Sequence, residues 1–590
     1  MWHNLVRGVR IAWDASPRRF VTVATVSMLT ALLAPVLIWY GKHLVDLIVL
    51  GRERHVVLAD IAPSVGMLAL LFGADRALST YRENMQELFA RAVEQHASQK
   101  LLEKAATVDV GHHDDPTFHD RMEHARREVG WRPHQLTFST IGLATSLISV
   151  AGLFGLLASL HPLLVVLSLV SLLPSVAIQR SINRKLYDFW FDTTTEERER
   201  WYARDMASQP TMAKELRSFG AGGYFLARYQ RITDERYAKL SLLYRRATLL
   251  AVIAGLGTGI ALALAYGFVG ARGLAGELTP GDLTAAIGGF TAITSQASLI
   301  SGSLLSIEQH ARFLDDYFAF LAVEPLVKTP AAPRALPEPL RPGIAVEGVR
   351  FSYPHSGREA LKGLDLEVKP GELIALVGDN GAGKTTIVNL LSRFYDPTSG
   401  RVTIGGVDLR DVDPIALRAR MGVLFQDFAK YQLTLRENVQ LGRVERDAGD
   451  AEIVAALEAA RAKFLLDKLA KGLDARVGRL FQGGHELSGG EWQRLAVARL
   501  MFRRADIWIL DEPTSNLDPE AEAAIFAELK QQLAGRMAIV ISHRFSTVRV
   551  ADRIYVVADG RVLETGTHEQ LIAAKGRYAE LFEIQAAGYR

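Results

Sequence analysis

The chain has 590 residues, which is too long for one ordinary domain and predicts at least two. Its 68 basic and 65 acidic side chains leave a net charge of +3, so the charge balance gives no reason to expect a nucleic-acid partner. The absence of cysteine excludes disulfides, thiolate zinc sites, iron–sulfur clusters and a cysteine nucleophile. Hydrophobic residues make up 49% of the sequence, and long runs of them without charge lie before residue 310.

Five stretches lack Lys, Arg, Asp and Glu, and most reach the roughly 20 residues that a membrane-spanning helix needs. These stretches are Phe20–Tyr40, Ile61–Ala74, Gln135–Gln179, Ala247–Ala271 and Leu283–Ile307. The third is broken by Leu160-His161-Pro162, which predicts two helices joined by a tight hairpin. The second reaches spanning length if Val56–Asp60 is added. The sequence therefore predicts six spans, at residues 20–40, 56–75, 135–160, 162–179, 247–271 and 283–307.

The segments around these spans differ in length and charge. The connections 76–134 and 180–246 are long and rich in Arg and Lys, whereas the other connections are short. Because basic loops remain on the cytoplasmic side, we expect the amino terminus and both long connections in the cytoplasm. Residues 1–19 carry apolar side chains at helical spacing, including Trp2 and Trp13, and predict an amphipathic helix at the membrane interface.

Polar residues are few within the predicted spans. Gln296 lies in the sixth span beside several Ser and Thr residues. Such a side chain can line a transport pathway or hold neighbouring helices together, and both interpretations stay open for Gln296.

A proline-rich segment marks the end of the membrane half. Six of the 21 prolines fall between Glu324 and Pro342, with almost no apolar periodicity. This composition predicts a stiff, extended linker at residues 324–342. It separates a transmembrane domain at 20–323 from a soluble domain at 343–590.

A nucleotide-binding motif follows a buried strand of the soluble domain. The apolar run Leu373–Val377 predicts a parallel strand, and Gly378–Thr385 directly after it matches G-x-x-x-x-G-K-[ST]. In this motif backbone N–H groups surround phosphate oxygens, Lys384 neutralises the β- and γ-phosphates, and the Thr385 hydroxyl binds Mg²⁺. The predicted ATP-binding residues of this loop are Gly378, Asp379, Asn380, Gly381, Ala382, Gly383, Lys384, Thr385 and Thr386.

A second predicted strand, Ile507–Leu510, ends in Asp511 and Glu512. An acidic residue at the carboxyl end of a strand beside a phosphate loop suits the magnesium shell, which predicts that role for Asp511. Glu512 is then placed to orient or deprotonate the attacking water. A phosphate loop with two carboxylates does not by itself separate kinases, GTPases, helicases and transport ATPases.

The sequence Leu487-Ser488-Gly489-Gly490-Glu491, upstream of Asp511, resembles the signature of the ATP-binding cassette (ABC) family. Six spans followed by this domain resemble a half-transporter of the exporter class, which includes multidrug, lipid and peptide exporters. The resemblance covers essentially the whole chain. It implies an all-α six-helix transmembrane domain followed by an α/β P-loop ABC ATPase domain, with ATP and Mg²⁺ as cofactors.

The resemblance also implies roles for residues outside the phosphate loop. Tyr353 matches the aromatic residue that stacks on adenine, and Gln426 matches the glutamine that reaches the metal and senses the membrane domain. His543 matches the switch histidine that contacts the γ-phosphate, and Asp518 lies in the dimer-interface loop. The implied catalytic residues are Glu512, His543 and Gln426, and the implied metal ligands are Thr385, Gln426 and Asp511.

By the same resemblance, the signature residues Ser488, Gly489, Gly490 and Glu491 face the phosphate loop of a second copy. Each ATP then lies between two chains, so one chain cannot complete a site alone. Both halves of the site are intact in this sequence, which favours a homodimer. The commonest family form has Gln where Glu491 stands, and we expect this departure to alter the rate of hydrolysis rather than abolish it.

The long cytoplasmic connections are the implied coupling elements. The resemblance places short transverse helices near Val108–Phe118 and Thr211–Gly220, where they dock on the ATPase domain beside Gln426. His and Asp residues cluster in the first of these segments, which could also suggest a metal site. Adjacent His-His and Asp-Asp pairs point to different sides of a helix, so docking is the favoured interpretation.

The expected function is primary active export by alternating access, in which ATP drives an amphipathic peptide or small molecule outward from the cytoplasmic side. A lipid or lipid-linked substrate flippase of the same architecture stays open as the alternative. The six spans exclude a soluble ABC ATPase, and importers usually keep spans and cassette on separate chains. An exporter with a processing peptidase would need a cysteine, which the sequence lacks.

We expect an integral membrane protein of a bacterial inner membrane, with the amino terminus and the ATPase domain in the cytoplasm. The Ala- and Arg-rich composition favours a bacterial source. The expected partners are a second, identical chain, membrane lipid and the exported substrate, and no nucleic acid.

Overall fold

The computed structural model describes residues 2–54, 57–354, 356–513, 519–533 and 535–587. They form two compact units, which divide between Val323 and Glu324. The first unit is helical, whereas the second is an α/β unit that also includes Val108–His119.

The chain before the linker is helical. Its helices are α1 (Trp2–Ala15), α2 (Pro17–Arg54), α3 (Leu58–Thr107), α4 (Pro116–Glu128), α5 (Arg132–Leu160), α6 (Pro162–Asp192), α7 (Thr194–Ser208), α8 (Ala213–Ser218), α9 (Gly222–Leu274) and α10 (Pro280–Leu321). A short 3-10 turn, Val110–Asp114, lies between α3 and α4.

Within the described residues, five helices are long and apolar enough to cross a membrane: α2, α3, α5, α9 and α10. A sixth long helix, α6, carries no charged residue between Pro162 and Gln179. His161 alone separates it from α5, in an extended conformation with φ −165° and ψ 129°. Proline suits the first turn of α6 because the N–H that it lacks has no intrahelical acceptor there. The chain thus breaks where Leu160-His161-Pro162 predicts a hairpin.

Helix α10 packs against α2 and α5 and contributes buried residues along its whole length. The hydroxyls of Ser139 in α5 and Ser306 in α10 are 2.7 Å apart. About 25 Å further along, Leu157 of α5 packs against Gly289 of α10, so the two helices run antiparallel. At the start of α10, Asp282 forms a 2.6 Å ion pair with Lys42 of α2.

The amino-terminal helix α1 also packs against α10. The Asn4 amide donates to the Ala311 carbonyl at 3.0 Å, and the Arg7 guanidinium lies 3.8 Å from the centre of the Phe318 ring. Ala12 is fully buried, whereas Trp13 beside it is 45% exposed. The helix therefore has a packed face and an open face, and its position at a membrane interface stays a prediction.

The α/β unit contains ten strands in its described residues. They are β1 (Ile344–Ser352), β2 (Glu359–Val368), β3 (Leu373–Val377), β4 (Ser399–Ile404), β5 (Val407–Asp408), β6 (Met421–Leu424), β7 (Ile507–Asp511), β8 (Met537–Ile541), β9 (Arg553–Ala558) and β10 (Arg561–Gly566). The helices of this unit are α11 (Lys384–Leu391), α12 (Pro414–Ala419), α13 (Leu435–Gln440), α14 (Asp450–Ala459), α15 (Phe464–Lys468), α16 (Gly489–Arg503), α17 (Pro519–Gln532), α18 (Phe545–Val548), α19 (His568–Ala574) and α20 (Arg577–Ala587).

The strands form two sheets. One is antiparallel with the order β2-β1-β4-β5, and the other has the order β10-β9-β3-β8-β7-β6. In the second sheet all neighbours are parallel except β10, which is antiparallel to β9. Strands β3, β7 and β8 are buried along their whole length, as expected for parallel strands covered on both faces. Because these three strands are neighbours, the residues after their carboxyl ends meet at one edge of the sheet.

The segment between α10 and β1, residues 322–343, contains no helix or strand. It is nevertheless hydrogen-bonded to other residues of the α/β unit. One carboxylate oxygen of Asp109 accepts hydrogen bonds from the backbone N–H groups of Leu326 at 2.7 Å and Val327 at 3.1 Å. The buried Arg393 guanidinium donates to the Lys328 carbonyl at 3.0 Å.

Candidate nucleotide site

The phosphate loop connects β3 to α11, which is the strand–loop–helix context that its motif requires. Gly378 has φ +155°, and a Cβ there would lie 2.0 Å from the Val557 carbonyl oxygen. Gly383 caps α11 at φ +107°, where a Cβ would meet Leu361 at 2.8 Å. Both positions therefore require glycine, and the turn they allow directs the first N–H groups of α11 towards the loop.

Lys384 begins α11 and is buried. Its Nζ donates to the carbonyl oxygens of Gly378 at 2.7 Å and Asp379 at 2.9 Å, across the mouth of the loop. Burial lowers the pKa of Lys384, and the nearby carboxylates of Asp511 and Glu512 oppose that shift. An ammonium group held this way lies where phosphate oxygens would replace the carbonyl groups as its acceptors.

Thr385 and Asp511 face each other where the loop meets β7. The Thr385 hydroxyl lies 3.4 Å from one carboxylate oxygen of Asp511. Burial, together with the charge of Glu512, raises the pKa of Asp511 to about 6. A buried carboxylate beside a hydroxyl, with the Gln426 amide lining the same cavity, supplies the oxygen ligands that Mg²⁺ prefers. These residues therefore fit the predicted magnesium site.

Glu512 lies at the centre of the candidate catalytic group. One carboxylate oxygen accepts a hydrogen bond from the Gln426 amide at 2.9 Å, and the other lies 3.1 Å from Nε2 of His543. Its backbone adopts φ +47°, a left-handed conformation that non-glycine residues rarely take. The Glu512 N–H bonds to the Ile541 carbonyl at 2.9 Å, and its carbonyl accepts from the buried Gln493 amide at 3.2 Å. Both backbone and side chain of Glu512 are thus held from neighbouring elements.

Tyr353 lies beside α11, the helix that follows the phosphate loop. Its hydroxyl is 3.1 Å from that of Thr386 and accepts from the Asn389 amide at 3.2 Å, so both contacts are with α11. The rings of Phe351 and Tyr395 meet the Tyr353 ring edge-to-face, at 4.9 Å and 5.2 Å between centroids. This packing fixes the ring beside α11, and its stacking on adenine stays a prediction.

One cavity of about 640 Å³ joins most of the predicted residues. Those that line it are Tyr353, Asn380, Gly381, Gly383, Lys384, Thr385, Thr386, Gln426, Asp511, Glu512 and His543. Gly378, Asp379 and Ala382 shape the loop without lining this cavity, and the signature residues Ser488 to Glu491 do not line it either. Asp518 lies outside the described residues.

The signature residues begin helix α16. Ser488 is the N-cap, and its hydroxyl accepts the Glu491 N–H, while the Glu491 carboxylate accepts the Ser488 N–H at 2.8 Å. Glu and Gln are the residues typical of the third helical position in this reciprocal capping box, so Glu491 preserves it. Glu491 also pairs with Lys468. Burial opposes ionisation of Glu491, but Lys468 and the Ser488 N–H outweigh it and hold the pKa of Glu491 below its ordinary value.

Comparison with known proteins agrees with this geometry. Residues 361–515 match the family model described as ABC transporter. The chain is 26% identical over 567 residues to the subtilin transport ATP-binding protein SpaT of Bacillus subtilis, covering 96% of this chain and 91% of that protein. It is 35% identical over 370 residues to an ATP-dependent lipid A-core flippase of Methylobacillus flagellatus, covering 63% of this chain and 61% of the flippase.

A solved structure of a bacterial Atm1-family ABC exporter with ATP bound matches the fold with a TM-score of 0.82 at 26% identity. The match covers 97% of this chain and 99% of the exporter. The α/β unit is an ABC transporter domain, and the whole chain is similar to ABC exporters. The predicted fold class is confirmed: a helical membrane domain precedes an α/β ABC ATPase domain.

The first implied coupling segment clusters with the ATPase domain. Asp114 accepts a hydrogen bond from the Tyr395 hydroxyl, and the His112 ring lies 2.9 Å from the Glu324 carbonyl. This segment therefore contacts Tyr395 and the linker, and its docking beside Gln426 stays a prediction. No group of three or more His, Asp or Glu side chains that could hold a metal ion is found there or elsewhere in the described residues. The second implied segment contains α8, and its Phe219 is 77% exposed within the helical unit.

Sequence patterns did not indicate several residues of the site. Arg358 and Asp559 also line the cavity. Gln493 holds the Glu512 carbonyl from α16, and Arg577 of α20 forms a 2.8 Å ion pair with Asp379 of the phosphate loop. Asp559 and Arg577 lie far from the motifs along the chain. Gln493 and Arg358 lie close to the signature and to Tyr353, but no local pattern marks their contact with the site.

Proposed function

We propose that this protein is an ABC exporter, an ATP-driven primary active transporter that moves an amphipathic substrate outward from the cytoplasmic side by alternating access. The observation that carries the proposal is the position of Glu512 between Gln426 and His543, in one cavity with the phosphate loop. That arrangement suits a carboxylate that takes a proton from a water beside the γ-phosphate of ATP.

In this proposal, each residue of the cavity has a separate role in ATP binding or hydrolysis. Lys384 neutralises negative charge on the β- and γ-phosphates, and Tyr353 stacks on adenine. Thr385, Asp511 and Gln426 would hold Mg²⁺, which when bound neutralises phosphate charge. Glu512 accepts the proton of the attacking water, and His543, 3.1 Å from Glu512, donates to a γ-phosphate oxygen.

The active form in this proposal is a homodimer with two composite ATP sites. The cavity that holds the phosphate loop is not lined by the signature residues of the same chain. A second copy would bring Ser488 and the amino terminus of α16 to the γ-phosphate, and that positive helix end stabilises charge only when the two copies close.

Mixed dimers test the composite site. Lys384→Ala and Ser488→Arg each inactivate both sites of a homodimer in this proposal. A mixed dimer keeps one intact site, formed by Lys384 of one copy and Ser488 of the other. We expect tandem-purified mixed dimers to regain ATPase activity, which neither homodimer shows. Mixed dimers as inactive as both parents would contradict the shared site, and a fully active monomer by intact mass measurement would contradict the dimer.

For the cargo, we propose a peptide or a small amphipathic molecule. Similarity to SpaT over nearly the whole chain supports this choice, since that relative is a subtilin transport protein. The lipid A-core flippase supports the second candidate, a lipid or lipid-linked substrate. ATP-dependent uptake into inverted membrane vesicles, measured side by side with fluorescent amphipathic peptides and fluorescent lipids, decides between the two. If neither the peptide nor the lipid were taken up, both cargo proposals would be contradicted.

We further propose that the protein has six spans in a bacterial inner membrane, with the amino terminus and the ATPase domain cytoplasmic. Five apolar helices and the uncharged first half of α6 support six membrane spans. The basic connections 76–134 and 180–246 support the orientation. Protease protection of the ATPase domain in right-side-out vesicles, with cleavage in inverted vesicles, is the expected result.

A further inference from the structure

The backbone around His543 is held by a side chain from the carboxyl-terminal helix. The Gln585 amide nitrogen donates to the His543 carbonyl at 2.6 Å, and the Phe545 N–H donates to the Gln585 amide oxygen at 3.2 Å. One side chain therefore pairs with the acceptor and the donor on either side of Arg544. Strand β8 has already ended at Ile541, so this pairing lies where the sheet no longer supports the chain.

The carboxyl-terminal helix α20 also packs against Phe545, two residues after His543. The Phe545 ring meets the rings of Tyr578 and Phe582 edge-to-face, at centroid distances of 5.3 Å and 5.1 Å. Tyr578 is fully buried, and its hydroxyl lies 2.8 Å from the His568 ring. Helix α20 thus fixes both the backbone and a side chain of the segment that begins at His543.

A buried carboxylate holds the segment from its other side. Glu522 of α17 is 3% exposed and accepts hydrogen bonds from the Arg544 guanidinium at 2.6 Å, the Ser546 hydroxyl at 3.0 Å and the Thr547 hydroxyl. Glu522 therefore anchors the segment after His543, whereas Gln585 holds His543 itself.

Helix α20 also reaches the phosphate loop. Arg577, its first residue, pairs with Asp379 at 2.8 Å, and Gln585 lies eight residues later, about 12 Å along the helix axis. One rigid helix therefore contacts the loop that holds the phosphates and the segment that carries the switch histidine. The Arg577–Asp379 pair is largely exposed and contributes little by itself, so the Gln585 contact carries the argument.

We propose that Gln585 is a positioning residue for His543, and that the carboxyl-terminal helix α20 is part of the frame of the ATPase site. The proposal rests on the proposed function, in which His543 contacts the γ-phosphate. The His543 imidazole lies 3.1 Å from Glu512, and a small displacement of its backbone would remove it from hydrogen-bonding distance. Misplacement of a catalytic group by about 1 Å can cost on the order of a hundredfold in rate.

Steady-state ATPase measurements on the purified full-length protein in nanodiscs test the proposal. Gln585→Ala removes both hydrogen bonds, and Gln585→Glu keeps the shape and the acceptor but turns a carboxylate oxygen towards the His543 carbonyl. We expect both variants to lower kcat about tenfold, which is the size of effect expected when one or two hydrogen bonds are lost. The KM for ATP should stay within about twofold of the wild-type value. Ile584→Ala, a change at the neighbouring 68% exposed residue of α20, is the matched control and should match wild type.

A double-mutant cycle with His543→Ala separates positioning from general stability. If Gln585 acts through His543, Gln585→Ala should cause no further loss of kcat in the His543→Ala background. An equal fold-loss in both backgrounds would overturn the proposal. So would a wild-type kcat for both Gln585 variants, or a loss of kcat that follows a fall in Tm. Wild-type protein that does not hydrolyse ATP would instead refute the proposed function.

Discussion

Glu512→Gln is the change that most directly tests the candidate catalytic group. In the structure the two carboxylate oxygens have different partners: one accepts the Gln426 amide N–H, and the other faces Nε2 of His543. A glutamine can satisfy both contacts by turning its oxygen to Gln426 and its NH₂ to His543. We therefore expect folding stability to change by less than about 1 kcal/mol and ATP binding to persist.

The chemical step should behave differently, because an amide cannot take the proton of the attacking water. A positioned general base contributes about 10² to 10⁴ in rate, so kcat of Glu512→Gln should fall by a factor in that range. The assay is steady-state ATPase in nanodiscs, together with titration of a fluorescent ATP analogue. Glu458→Gln, which alters an exposed carboxylate paired with Lys463, is the control and should match wild type. Near-wild-type turnover in Glu512→Gln would refute the assignment of Glu512 as the base.

Four further changes test other parts of the site. Lys384→Ala should weaken ATP binding about tenfold or more in a nucleotide titration, because it removes a charged phosphate contact. Gln426→Ala should lower vesicle uptake by a larger factor than ATPase, and equal losses would reduce its role to the metal site. Gln296→Ala should alter the stimulation of ATPase by cargo, and no change with any cargo would leave Gln296 as a packing residue. Glu491→Gln should keep the capping box and shift stability by less than about 1 kcal/mol in thermal unfolding, since Lys468 is half exposed.

The phosphate loop could be predicted from the sequence because its structure is local. A five-residue apolar run, a glycine loop and a helix follow each other without interruption, and the structure has β3, the loop and α11 in that order. The conformations of Gly378 and Gly383 explain why the motif fixes glycine at these positions. The break between α5 and α6 is local in the same sense, since Pro162 alone decides where a new helix can begin.

The surroundings of Glu512 could not be predicted in this way. Gln426 and His543 lie just after the carboxyl ends of two other strands, β6 and β8, and only the family resemblance indicated them. Gln493 and Gln585 carried no signal at all, because a glutamine in a helix is an ordinary surface residue until the fold places it against a backbone group. The capping box is an intermediate case: Ser488 followed by Glu491 is a recognisable start of a helix, and the structure has α16 beginning at Gly489.

The capping box also explains why a glutamate is compatible with an anion-binding turn. The first N–H groups of a helix have no intrahelical acceptor, and in α16 the Ser488 hydroxyl takes only that of Glu491. The N–H groups of Gly489 and Gly490 remain at the positive end of the helix, with no Cβ in front of them. The Glu491 carboxylate is turned back to the Ser488 N–H and neutralised by Lys468, so it does not oppose an approaching phosphate. The proposed composite site would use this turn for a γ-phosphate held by a second copy, and the turn does not line the cavity that holds the phosphate loop of its own chain.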